Sequence, residues 1–156
     1  TLQPRCGAWV RYMQQVRQER SGWRDLGLSL RHRQWGVACS AFDIDFLLVE
    51  CMYARPLALI EYKKQDAPDP TRAQLAALGT LATSAGIAFF VVWYSEGYSW
   101  FRVEPKNEKA RQLLRGSATD WWDEQTFVRF LHRIRGVPVP PGVLDGLYQS
   151  PPTPTE

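Results

Sequence analysis

Ala41-Phe42-Asp43-Ile44-Asp45-Phe46-Leu47-Leu48-Val49-Glu50 is followed closely by Leu57-Ala58-Leu59-Ile60-Glu61-Tyr62-Lys63-Lys64-Gln65. Both stretches read as β-strands, and both carry carboxylates among apolar residues. Side chains alternate faces along a strand, so Glu61 and Lys63 are expected on one side, and Asp43 and Asp45 likewise share a side. β-propensity disfavours Asp, and an unpaired buried carboxylate is expensive. Acids at these positions therefore point to a cleft or a bound ligand. If the two strands form a hairpin, an Asp, a Glu and a Lys meet on one surface. Such a set suits holding Mg²⁺ (or Mn²⁺) and activating a water against a phosphodiester.

The segments around this pair complete the expected order. Trp9, Tyr12, Met13 and Val16 fall at i, i+3, i+4 and i+7, which predicts an amphipathic helix to about Arg20. Leu28, Leu30 and His32 alternate, so residues 26–35 read as a further strand. Asp69 or Thr71 is the candidate N-cap of an Ala- and Leu-rich helix over 72–84, with Gly86 as its stop. Ile87 to Tyr94 is a continuous apolar run, expected of a strand buried on both faces. Glu96-Gly97 turns the chain into a neighbouring strand from Tyr98 to Val103. Short helices are expected over 107–115 and 123–135, with Trp121 and Trp122 at the start of the second. Hairpin strands followed by a crossover helix and a buried strand imply an α/β fold, a mixed sheet flanked by helices.

At 156 residues, 45% of them hydrophobic and 22% charged, the chain has the composition of a soluble globular protein. The expected organisation is one domain over 1–135, its core about 9–104 with a C-terminal helical part over 107–135. A Pro/Gly-rich tail over 136–156, partly disordered, follows. No 18-residue apolar run suggests a membrane span, and Thr1-Leu2-Gln3-Pro4-Arg5 does not read as a signal peptide. Cys6, Cys39 and Cys51 form no close pair and read as reduced thiols, so a cytoplasmic location is expected. His32 and His132 match no zinc spacing. The net charge of +3 is uneven. Residues 1–35 carry seven arginines against Glu19 and Asp25, a local +5 that leaves the remainder at −2. A basic end suits a polyanionic partner. Arg17, Arg20, Arg24, Arg31, Arg33 and Lys64 are the expected nucleic-acid contacts.

The αβββαβ order, with Asp45 on one strand and Glu61-Tyr62-Lys63 on the next, resembles the PD-(D/E)XK nuclease superfamily over roughly residues 9–95. The Pro of that motif is missing, because Asp45 follows Ile44 and Asp43 follows Phe42; which Asp is the ligand stays open. The resemblance implies a restriction-endonuclease-like core with added C-terminal helices. It implies that Asp45 and Glu61 bind a divalent metal together with the backbone carbonyl of Tyr62, and that Lys63 positions the attacking water. Glu19 and Gln65 are auxiliary candidates by the same likeness, and Asp43 is the alternative ligand. The expected activity is metal-dependent hydrolysis of DNA, with a homodimer as the expected assembly. Two alternatives remain: a structure-selective junction resolvase, and an inactive nuclease-fold module that binds nucleic acid or protein.

Overall fold

A computed structural model describes residues 26–36, 38, 41, 43–50, 53–117 and 120–147. The chain divides into two compact units, Ile44–Ser150 and a second comprising Thr1–Asp43 with Pro151–Glu156. In the second unit the main described element is the helix α1, Leu26–Gln34. This corrects the strand expected there. The alternation rested on Leu28, Leu30 and His32, but Leu, Arg and Gln favour helix and no β-branched residue favours strand. Two strands rather than three therefore precede the crossover helix among the described residues. The helix expected over 9–20 lies outside them.

The larger unit is built on a four-stranded sheet in sequential order: β1 Phe46–Glu50, β2 Arg55–Lys64, β3 Ala88–Tyr94 and β4 Phe101–Pro105. β1 and β4 run antiparallel to their neighbours, whereas β2 and β3 are parallel. Parallel strands need a crossover, supplied by the helix α2, Arg72–Ser84. The Thr71 hydroxyl, rather than Asp69, caps α2 by accepting from the Gln74 amide at 3.1 Å. Gly86 follows the helix with φ +69°, a conformation suited to glycine. The architecture is thus α/β with a mixed sheet, as the order of elements implied.

Alternation along β2 and β3 sorts the core into two layers. Leu59, Phe89, Val91 and Trp93 face α2 and pack with Leu78 and Ala82. Ala58, Ile60, Phe90 and Val92 face the opposite way. There they meet the helices α3, Glu108–Leu114, and α4, Glu124–Arg135, through Ala110, Phe127 and Phe130. A single turn, α5, Val143–Gly146, lies in the segment expected to be an irregular tail. Asn107 ties α3 to the sheet. Its Oδ1 accepts from Ala110 and Phe89 amides, and its Nδ2 donates to the Ile87 carbonyl.

Two details at the sheet ends differ from expectation. Trp122 does not begin a helix. It pairs with Phe101 as an isolated antiparallel bridge, Phe101 N to Trp122 O at 2.8 Å and Trp122 N to Phe101 O at 2.6 Å. Tyr98 belongs to a turn, Glu96–Tyr98, where Gly97 and Tyr98 both take positive φ. β4 consequently starts at Phe101. No described helix is long and apolar enough to cross a membrane.

Candidate functional site

Glu61 is the last of the four buried residues of β2, Ala58–Glu61, and is 2% exposed. By alternation it points to the α2 side, between Leu59 and Lys63. Its Oε1 is engaged twice, by Lys63 Nζ at 2.7 Å and by Gln74 Nε2 at 2.6 Å. Its Oε2 is buried without a hydrogen-bond partner among the described residues. Lys63 remains partly open to solvent at the end of the strand. A carboxylate this deep needs charge or hydrogen-bond compensation, and one of its two oxygens has it.

β1 begins at Phe46, not at Ala41. The first ladder pair is Phe46 with Ile60, so Asp45 stands one step beyond, opposite Glu61. Asp45 is outside the strand because its side chain replaces the ladder bond. Its Oδ2 accepts from the Tyr62 amide at 2.9 Å, a side-chain substitute for strand pairing. The N–H and C=O of one strand residue point to the same edge. The Tyr62 carbonyl is therefore directed to the edge where Asp45 sits. The Tyr62 ring lies on the opposite face, edge-on to Phe46 and Phe127. Burial, and secondarily the Asp45 carboxylate, push its phenol above the ordinary value, so it stays protonated.

Asp45, Glu61, Lys63 and the Tyr62 backbone are thus brought to one end of the sheet. Other expected residues fall elsewhere. Asp43 is exposed and belongs to the other compact unit. Gln65, two residues past Lys63, lines a cavity with Trp100 and Trp121. Lys64 is exposed at the end of β2, and Arg31 is exposed on α1. Glu19, Arg17, Arg20 and Arg24 lie outside the described residues, as does the Arg33 side chain.

Gln74 was missed from sequence. Its signal was present: Gln74, Leu78 and Ala82 recur at i, i+4 and i+8 on α2, so a polar residue occupies the apolar stripe that meets the sheet. Two carboxylates and a carbonyl are oxygen donors of the kind hard divalent cations take. The orphan Oε2 of Glu61 fits such an ion. No group of three or more His, Cys, Asp or Glu residues is placed to hold a metal among the described residues. No protein-family model, curated protein or solved structure matches this chain.

Proposed function

We propose that the chain is a divalent-metal-dependent nuclease that hydrolyses DNA phosphodiester bonds at Asp45, Glu61 and Lys63. The observation that carries this reading is the buried Glu61 carboxylate. One oxygen is held by Lys63 and Gln74, and the other has no hydrogen-bond partner among the described residues. Asp45, fixed on the Tyr62 amide, stands opposite Glu61, and the Tyr62 carbonyl points to that edge. Asp45, Glu61 and the Tyr62 carbonyl would hold Mg²⁺ or Mn²⁺. When bound, such an ion lowers the pKa of water and stabilises charge on the phosphoryl group. Lys63 brings a cation, partly open to solvent, to face a phosphate oxygen. Gln74 fixes the rotamer of Glu61 and keeps Oε2 free for a ligand. The exposed Lys64 suits a contact to backbone phosphate, which fixes register without reading sequence.

A second reading has its own support. Lys63 already neutralises Glu61, and no third acid joins the pair among the described residues. An inactive module that keeps the scaffold and binds nucleic acid would show the same charge cluster.

Two measurements separate the readings. Linear, circular, single-stranded and branched DNAs are incubated with Mg²⁺ or Mn²⁺. Cleavage is expected, and it should disappear in Glu61→Gln. Millimolar divalent ion should also raise the melting temperature, because it binds the folded state only; the shift should vanish in Asp45→Asn. A wild-type chain that neither cleaves nor responds to metal is the binding module.

A further inference from the structure

Register places four side chains in one row on the α2 face of the sheet. Lys63 pairs with Trp93, and Trp93 pairs with Arg102. The Phe101–Trp122 bridge is antiparallel, so one step along it Trp121 falls opposite Arg102. Ring contacts agree with this order. The Arg102 guanidinium lies 5.5 Å from the Trp93 ring centroid and 5.4 Å from that of Trp121. Neighbouring strands are about 4.8 Å apart, so the row extends roughly 14 Å from Lys63 to Trp121. Beside it lies a cavity of about 280 Å³ lined by Gln65, two residues past Lys63, and by Trp100 and Trp121. That volume falls just below the roughly 300–1,000 Å³ of sites for drug-sized ligands, a size suited to one flat ring.

Trp100 is 52% exposed, although a Trp side chain is costly to leave in water. It is also fixed. Its amide donates to the Ser95 hydroxyl at 2.9 Å and its carbonyl accepts from the Ser95 amide at 3.0 Å. Trp121 is held by the guanidinium above it. Two buried donors in the row, Trp93 Nε1 and Arg102 Nε, have no partner among the described residues. Glu104 engages the Arg102 guanidinium through a different nitrogen, at 3.0 Å.

We infer that Gln65, Trp100 and Trp121 form a binding subsite for an unpaired nucleobase of a single-stranded polynucleotide. The inference rests on the nuclease reading for the strand's path from Lys63, and it narrows the substrate class to one with single-stranded character. An aromatic wall stacks any base, and it does so only when the base is free of a duplex. Arg102 supplies positive charge along the row for the strand's backbone. The Gln65 amide both donates and accepts, so it meets the edge of any base.

The test is binding by the full chain without divalent ion, so that cleavage plays no part. Labelled oligothymidylate, an abasic strand of equal length, oligouridylate and a blunt duplex are compared by anisotropy and tryptophan quenching. The expected order is oligothymidylate and oligouridylate above the abasic strand and the duplex. Trp100→Ala should weaken oligothymidylate about 5- to 100-fold and leave the abasic strand unchanged. Gln65→Ala should weaken it less. Tyr53→Ala, at an exposed turn, serves as the control. Equal affinity for base-bearing and abasic strands, no binding of any strand, or an unchanged preference in Trp100→Ala would overturn the subsite. Strand binding with that preference but without a metal response would retain the subsite and remove the nuclease.

Discussion

Gln74 on α2 donates to the same Glu61 oxygen that Lys63 contacts, at 2.6 Å from Nε2 to Oε1. The bond joins the crossover helix to the centre of the sheet, and it directs two donors to one oxygen while the other, also buried, has no hydrogen-bond partner among the described residues. Thr71 sets the start of α2, so it also sets where Gln74 reaches.

Replacing that amide by an apolar group of similar length isolates its contribution. Gln74→Leu should lower stability by about 1.5–3 kcal/mol, the usual loss for a hydrogen bond to a charged group. Urea unfolding with and without Mn²⁺ measures it. If Gln74 also positions Glu61, the variant's response to Mn²⁺ should shrink as well. Unchanged unfolding would mean that Lys63 alone holds the carboxylate.

Among the described residues, Lys63 is the one cation in contact with the Glu61 carboxylate, which is 2% exposed. Lys63→Ala should therefore cost stability as well as cleavage, up to the roughly 3–5 kcal/mol seen when one partner of a buried pair is removed. Adding Glu61→Gln should recover much of that loss, since the unpaired charge goes with it. A double-mutant cycle reads the coupling. Additive losses would show that the two side chains do not depend on each other.

Asn107 is buried and serves three backbone groups, two amides and a carbonyl. Asn107→Ala would leave them unpaired beneath α3, at about 1–3 kcal/mol for each buried group left unsatisfied. Asn107→Asp keeps the acceptor but loses the donor to the Ile87 carbonyl, so it should also destabilise. Thermal melting of both variants checks this, and a change within about 0.5 kcal/mol, the range of ordinary surface substitutions, would contradict the hub role.

Asp123 caps α4 by accepting from the Thr126 amide at 2.8 Å. The Thr126 side chain first, and then that amide, hold its carboxyl below the ordinary carboxylate value. A depressed folded pKa means that the unfolded chain binds the proton more tightly. The cap's contribution is thus complete above about pH 3.9 and is lost as pH falls through the folded value. Asp123→Ala should cost about 0.5–2 kcal/mol at neutral pH. The gap from wild type should close in acid, and a gap independent of pH would refute the charged cap.

The sequence alone was enough for the elements whose information is local. The apolar run of β3, the Ala- and Leu-rich pattern of α2 and the phobic face of α4 each state their own period. The shared face of Glu61 and Lys63 follows from strand alternation. The alternation of Leu28, Leu30 and His32 misled because so short a set fits either period, and helix propensity prevailed in α1. What tertiary structure alone decided is every relation between distant segments. Gln74 meets Glu61 only because a parallel pairing sends α2 back over β2. Asp45 leaves its strand because its carboxylate finds the Tyr62 amide 17 residues away. Trp121 falls opposite Arg102 because a bridge at Trp122 extends the sheet past β4. Such contacts depend on register between strands, and no local propensity encodes register.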